Sequence, residues 1–386
     1  MADGSNPSVQ AAAWVEIAAL SDLDRYVGHW QSLADHAIEP NAFYEAWLMQ
    51  PALQAFASDD ASTAVVLVFA MHRSADGDVK AIGFLPLQQQ RQFRRWPVKI
   101  LQAWRHPLLL LTTPLLREGY AVEAWQTLLK WAAEERKRAS LIEFPLLAAD
   151  GPAYRALVDA LYSGKVLTYQ VEQYTRALLV PDEKGSESYL DRSMSVHARR
   201  QHRNKVRGLQ KLGKVELRRL EDKADLDQWV DQFIIMEASG WKGREGTAML
   251  DVDVQSRFFR SICARAVELG RLHLVGLFLD DRPVAMIAGV KSGRGLYIVK
   301  IAYDNAYRRH SPGAMIQVEN VIDVHARGEL DWVDSCAAPD HPMYSRIWLE
   351  RRIVSHLLIA PGGRYGRLVT GLLPLLRVLK RMVTRS

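Results

Sequence analysis

Short continuous apolar runs alternate along this chain with stretches whose apolar residues recur at helical spacing. In the first half, residues 14–30 read as a short element and an early helix, with Leu20, Leu23, Tyr26, Val27 and Trp30 at helical spacing. A second helix starts near Pro40 and runs through Trp47 and Leu48. Residues 63–71 are strand-forming, Ser74-Ala75-Asp76-Gly77-Asp78 supplies a turn, and 79–87 returns as a second strand. Val122, Trp125, Leu128, Leu129 and Ala132 mark one side of an amphipathic helix over 121–138. A strand over 141–144, a helix over 152–162 and strands over 166–169 and 176–180 follow. The second half begins with a basic helix over 189–213, then a strand at 215–220 and helices at 226–238 and 257–269. A hairpin, 271–279 with 283–291, turns at Asp280-Asp281-Arg282, and strand 296–303 comes next.

The stretch 296–337 reads as strand, tight helix start, helix and strand. Ser311 is a residue type that caps helices, and Pro312 suits the first helical position, whose N–H has no intrahelical partner. Gly313 leaves the first turn without a side chain. Met315, Ile316, Val318, Val321 and Ile322 form the predicted buried side. A helix N-terminus beside Arg308, Arg309 and His310 suits a phosphate group, and an ordinary capped helix fits the same residues. The two halves echo each other in order: hairpin 63–87 and hairpin 271–291, helix 121–138 and helix 313–327, strand 140–147 and strand 330–337. The echo has no fixed period. The pattern predicts a mixed α/β fold in two similar domains, 1–180 and 181–363, with 181–188 as linker and 364–386 as a separate C-terminal helix.

Composition narrows this picture. The chain has 386 residues, 48% hydrophobic and 24% charged, as expected of a folded two-domain protein. Its two cysteines, Cys263 and Cys336, make no disulfide framework and point to a reducing compartment. Residues 1–10 lack a basic and apolar leader, and no apolar run reaches the ~18 residues of a membrane span. The net charge of +6 favours an anionic partner. Three places concentrate it. Arg91, Arg94, Arg95 and Arg105 interleave with Phe93, Trp96 and Trp104, a pattern shared by base-stacking surfaces, membrane interfaces and solvated strand edges. The 189–213 helix carries nine basic groups between His197 and Lys214. The tail 365–385 sets leucines among Arg367, Arg377, Lys380, Arg381 and Arg385, without an acidic residue, as in helices that lie on anionic lipid; packing on the second domain is the alternative. Pro374 should kink that helix.

Several segments together carry a family resemblance. They are Glu237-Ala238-Ser239-Gly240-Trp241-Lys242-Gly243, Gly246-Thr247-Ala248, Ala302-Tyr303-Asp304, Ser311-Pro312-Gly313, and the run from Asp334 through Asp340-His341 to Met343. With these the chain resembles the GNAT N-acyltransferases, specifically the CelD-like branch related to the Fem ligases, most strongly over 189–360. The phosphate loop is poorer in Gly than the family's usual one.

The resemblance implies tandem GNAT-like domains in a Fem-ligase-like arrangement, with acyl-CoA as co-substrate and no metal. CoA phosphates would lie against Arg308, Arg309, His310, Ser311, Gly313 and Ala314, with Trp241 and Lys242 on the Gly-rich loop, and the pantetheine chain in a split between strands 296–303 and 330–336. An unperturbed histidine has a pKa of ~6.5, which suits His341 to taking a proton from an amine, and Asp340 would orient it or hold the ammonium. An Asp-His-Pro loop is also plain turn chemistry. Tyr303, Ser335 and Cys336 are candidate proton donors to the leaving thiolate, and Glu237 and His310 reserve bases. Cys336 as covalent nucleophile is disfavoured, because a buried Cys is usually inert packing. The leading expectation is transfer of an acyl group to a lipid-like amine such as a sphingoid base, as in bacterial ceramide synthases. The protein would be cytoplasmic and peripheral at the inner membrane, with no nucleic-acid partner. The rivals are an envelope amino-sugar acetyltransferase, a Fem-like transferase using charged tRNA, and a non-catalytic partner of polysaccharide export.

Overall fold

The computed structural model describes residues 12–58, 64–93, 98–135, 139–239 and 249–383, with side chains through 374 in the last segment. In chain order its elements begin with β1 (Ala12–Ala18), α1 (Val27–Asp35), α2 (Ala46–Phe56), β2 (Val65–Arg73), β3 (Val79–Gln90), β4 (Ile100–Ala103) and β5 (Leu115–Leu116). They continue with α3 (Ala121–Glu134), β6 (Leu141–Ala148), α4 (Pro152–Gly164), β7 (Leu167–Leu179), α5 (Gly185–Ser193), α6 (Val196–Gln210), β8 (Val215–Arg219), α7 (Leu226–Ala238) and α8 (Asp253–Glu268). The last are β9 (Leu272–Leu279), β10 (Arg282–Ser292), β11 (Gly295–Tyr303), α9 (Pro312–Arg327), β12 (Trp332–Asp334), α10 (Pro342–Ser345), β13 (Glu350–Ala360) and α11 (Arg364–Val383).

The chain forms two compact units, one of residues 1–46, 56–173 and 354–386, the other of 47–55 and 174–353. In the first unit β1, β2, β3 and β4 pair antiparallel in that order, and β4 pairs parallel with β6 across the crossover helix α3. In the second unit β8, β9, β10 and β11 pair antiparallel in that order, and β11 pairs parallel with β12 across α9. The echo in the sequence is thus a repeated topology. Each unit closes on a strand remote in sequence. β6 pairs with β13 from near the C-terminus, and β12 pairs with β7 from the middle of the chain.

The first unit's core is aromatic: Trp30 stands edge-on to Phe69, and Trp125 edge-on to Phe144, all fully buried. The second unit's core sets Val275, Ile287, Leu296, Met315, Ile316 and Val321 together with Tyr189, Tyr344 and Trp348.

Several elements differ from the sequence reading. The basic helix breaks in two at Met194-Ser195, because Ser195 is extended and its hydroxyl accepts the Ala198 N–H, capping α6. The strands expected at 166–169 and 176–180 are one continuous strand, β7. The strand expected at 330–336 shortens to Trp332–Asp334. Ile322, expected on the buried side of α9, is 39% exposed.

Candidate active site

The site is built where β11 and β12 meet. Their pairing lasts three residue pairs, ending at Tyr297 and Asp334. β11 runs on to Tyr303 on its other partner, β10, while the chain after β12 turns away and the Ser335 N–H donates to the Ala177 carbonyl of β7. The strands therefore part, and the split expected between 296–303 and 330–336 is present.

A buried ion cluster accounts for the turn. Asp334 is fully buried, and its Oδ2 accepts from Arg176 Nη2 at 2.7 Å and Arg352 Nη1 at 3.0 Å. Its Oδ1 accepts the Cys336 N–H at 2.9 Å, which suits the left-handed backbone of Cys336 (φ 48°). Arg352 also lies over the Trp332 ring, 4.6 Å from its centroid. Burial alone would raise the Asp334 pKa; the two guanidinium charges outweigh it and hold the carboxyl below its ordinary range. These arginines stand 158 and 18 residues from Asp334 in sequence, with no local pattern to reveal them.

Above the split is the N-terminus of α9. Ser311 does not cap it with its side chain. The residue is left-handed (φ 54°, ψ 55°), which carries its hydroxyl away from the helix amides, and Oγ instead accepts from Lys205 Nζ of α6 at 2.6 Å. Pro312 has no N–H, and the Ala314 and Met315 N–H groups donate to the Ser311 carbonyl, so what this end presents is chiefly the positive end of the helix dipole. A cleft of about 740 Å³, counted to its open mouth, lies here between α6, the start of α9 and α10. Its ionisable lining is His202, Lys205, His310 and Arg346, and among the described residues no carboxylate lines it. Met194, Met315, Val318, Met343 and Ile347 supply apolar lining. Burial, with Lys205 and Arg203 nearby, lowers the His202 pKa, so the ring is neutral at pH 7. His310 packs on α6 at Gly208, where a Cβ would stand 3.0 Å from its Nδ1.

The remaining candidates divide. His310, Ser311 and Ala314 line the cleft. Gly313 lies beneath it, where a Cβ would meet Met343 at 3.0 Å and Tyr303 at 3.2 Å, so the space its missing side chain leaves is taken by protein. Arg308 and Arg309 are exposed on the 3-10 turn Asn305–His310, and Arg309 Nε donates to His310 Nε2. Asp340 is exposed and left-handed (φ 52°), and His341 immediately precedes α10 with its ring 5.4 Å from that of Tyr344; neither lines the cleft. Ser335 is buried and its Oγ accepts the Ala337 N–H. Burial pushes the Cys336 thiol well above its ordinary range, which keeps it protonated. Glu237 is buried, pairs with Lys300 of β11 at 2.9 Å and accepts the Met249 N–H. Trp241 and Lys242 lie outside the described residues. Lys205, His202 and Arg346 were absent from the sequence-derived site, although the first two belong to the basic stretch of α6. Among the described residues no group of three or more His, Cys, Asp or Glu side chains is placed to hold a metal.

Comparison with known proteins bears on the fold. Residues 197–341 match the acetyltransferase (GNAT) domain family. No curated protein matches the chain. Among solved structures the chain is similar to FemX at 11% identity, covering 89% of this chain and 97% of that one, with a TM-score of 0.54. It is also similar to a conserved protein of unknown function from Bacteroides thetaiotaomicron, at 10% identity over 89% and 98% of the chains (TM-score 0.50). A tandem GNAT protein from the clavulanic acid biosynthesis pathway is 15% identical over 90% and 99% (TM-score 0.46). At such identities the likeness is one of fold. Residues 197–341 thus match the GNAT domain family, and the mixed α/β fold is similar to that of FemX.

Proposed function

We propose that the second unit transfers an acyl group from acyl-CoA to a primary amine, with a lipid-like amine such as a sphingoid base as acceptor. One observation carries the reading: the α9 N-terminus opens into a cleft whose ionisable lining is entirely basic, beside two strands that part after three pairs. Acyl-CoA, when bound, would supply an already activated thioester. The positive end of the α9 dipole and Lys205 bind a diphosphate, Lys205 exchanging the Ser311 hydroxyl for a phosphate oxygen. The parted edge of β11 offers main-chain groups to the pantetheine chain and an N–H to polarise the thioester carbonyl. The acceptor nitrogen loses a proton to His341, which enters α10 next to the lining residues Pro342 and Met343, and forms the new C–N bond as the C–S bond breaks. Tyr303, at the end of β11, returns a proton to the thiolate. The methionine-rich lining of the cleft supports an alkyl chain on one substrate.

The test is purified protein with acyl-CoA of graded chain length and a long-chain amine, following free thiol and amide product. Thiol release that requires the amine supports the proposal; no amide with any chain length, or no calorimetric heat with coenzyme A, overturns it. A second reading, aminoacyl transfer from tRNA, has its own support in α6, where Arg200, Arg203 and Arg207 are exposed along one helix. Steeply salt-dependent tRNA binding without coenzyme A binding would favour it.

A further inference from the structure

We infer that α11 is a docking face for an anionic lipid surface. The first half of this helix has two faces. The inner face is held to the first unit. A Cβ on Gly366 would stand 2.5 Å from the Ser140 carbonyl oxygen, Val369 and Thr370 are buried, and Leu373 packs against a cluster containing Phe93, Leu141 and Leu358. The Thr370 hydroxyl donates to the Gly366 carbonyl, so it spends no hydrogen bond on the outside. The outer face carries Tyr365, Leu368 and Leu372, which are 52%, 59% and 40% exposed. Their spacing, i, i+3 and i+7, places them on one stripe. In the sequence the same spacing continues through Leu375, Leu379 and Met382. Arg364 and Arg367 are exposed beside the stripe.

Charge decides the occupant. Residues 361–386 contain Arg364, Arg367, Arg377, Lys380, Arg381 and Arg385 and no acidic residue. A second copy of this helix would bring six cations against six, where a helix pair needs opposite charges flanking its seam. A nucleic acid would take the arginines and leave the leucine stripe in water. A bilayer rich in anionic lipid takes both, the leucines at the acyl boundary and the arginines at the phosphates. No described helix is long and apolar enough to cross a membrane, so α11 lies along the surface. This inference stands apart from the acyl-transfer reading and holds whichever acyl donor the second unit uses.

The test is flotation of the full chain with vesicles of phosphatidylcholine alone and of phosphatidylcholine mixed with phosphatidylglycerol. Binding is expected only to the mixed vesicles and should fall with added salt. Leu368→Glu with Leu372→Glu should lower the partition coefficient by about tenfold or more, since burying one leucine side chain alone is worth about that factor. Arg364→Glu with Arg367→Glu should weaken binding to the mixed vesicles. Because all four side chains point to solvent, thermal unfolding should be unchanged and serves as the folding check. Val158→Glu, at another exposed apolar position, should leave binding intact. The inference is overturned by absent binding to mixed vesicles, by equal loss in Val158→Glu, or by light scattering that shows a dimer which the double leucine variant dissociates.

Discussion

Replacing Asp334 by Asn tests whether the buried ion cluster holds the strands apart. Asn keeps the shape and leaves an oxygen to accept the Cys336 N–H, but it removes the negative charge that Arg176 and Arg352 share. Removing one partner from a buried ion pair costs about 3–5 kcal/mol, because the remaining charge stays out of water. The second unit has roughly 190 residues, for which ~1 kcal/mol moves Tm by about 2–4 °C, so its melting should fall by roughly 6–20 °C. The pH dependence follows from the depressed Asp334 pKa. A carboxyl held below its unfolded value of ~3.9 contributes fully above that pH and loses its contribution as pH falls through the folded value. The two proteins should therefore differ fully at neutral pH and converge only in strong acid. Calorimetric melting across this range is the assay. A shift below about 2 °C at pH 7 would refute the reasoning, since it is smaller than the lower bound set by the buried charges. Arg176→Met with Asp334→Leu and Arg352→Met should recover most of the loss, because a well-packed apolar set carries no desolvation cost.

Four further outcomes are expected. Lys205→Ala should weaken coenzyme A binding about tenfold to a hundredfold, the worth of one hydrogen bond to a charged group, with melting little changed; calorimetry reads both. Anion binding should restore a proton to His202, whose pKa is lowered in the free protein. Binding should then strengthen as pH falls from 7 to 6, and its heat should depend on the buffer's ionisation enthalpy; identical heats in two buffers would rule this out. Burial raises both thiols, Cys263 to about 12, so a thiol reagent at pH 8 should label neither until the protein is unfolded. Gly295→Ala would place a Cβ 2.0 Å from the Trp332 ring, and this overpacking should cost about 1–3 kcal/mol or more in denaturant unfolding, with Gly289 contacts across β10 as an internal comparison.

The order of elements, their repetition in two halves and the amphipathic face of α11 were all legible in the residues alone. Each is a local property, read from spacing within one turn or one strand. The Ser-Pro-Gly helix start was legible for the same reason, since Pro312 at the first helical position is a local preference. What surrounds that start was not. Lys205 reaches Ser311 from 106 residues away, on a helix, α6, that starts at the Ser195 cap and not where the basic periodicity begins. Only tertiary structure closes β6 with β13 and β12 with β7, since strand pairing depends on which edges meet. It alone brings Arg176 and Arg352 to Asp334, three charges that look solvated in sequence. It also leaves Asp340 and His341 outside the cleft lining, although their loop follows β12 directly in the chain. Periodicity specifies what each segment becomes, whereas the partners of a buried charge are chosen by packing, which no short window of sequence contains.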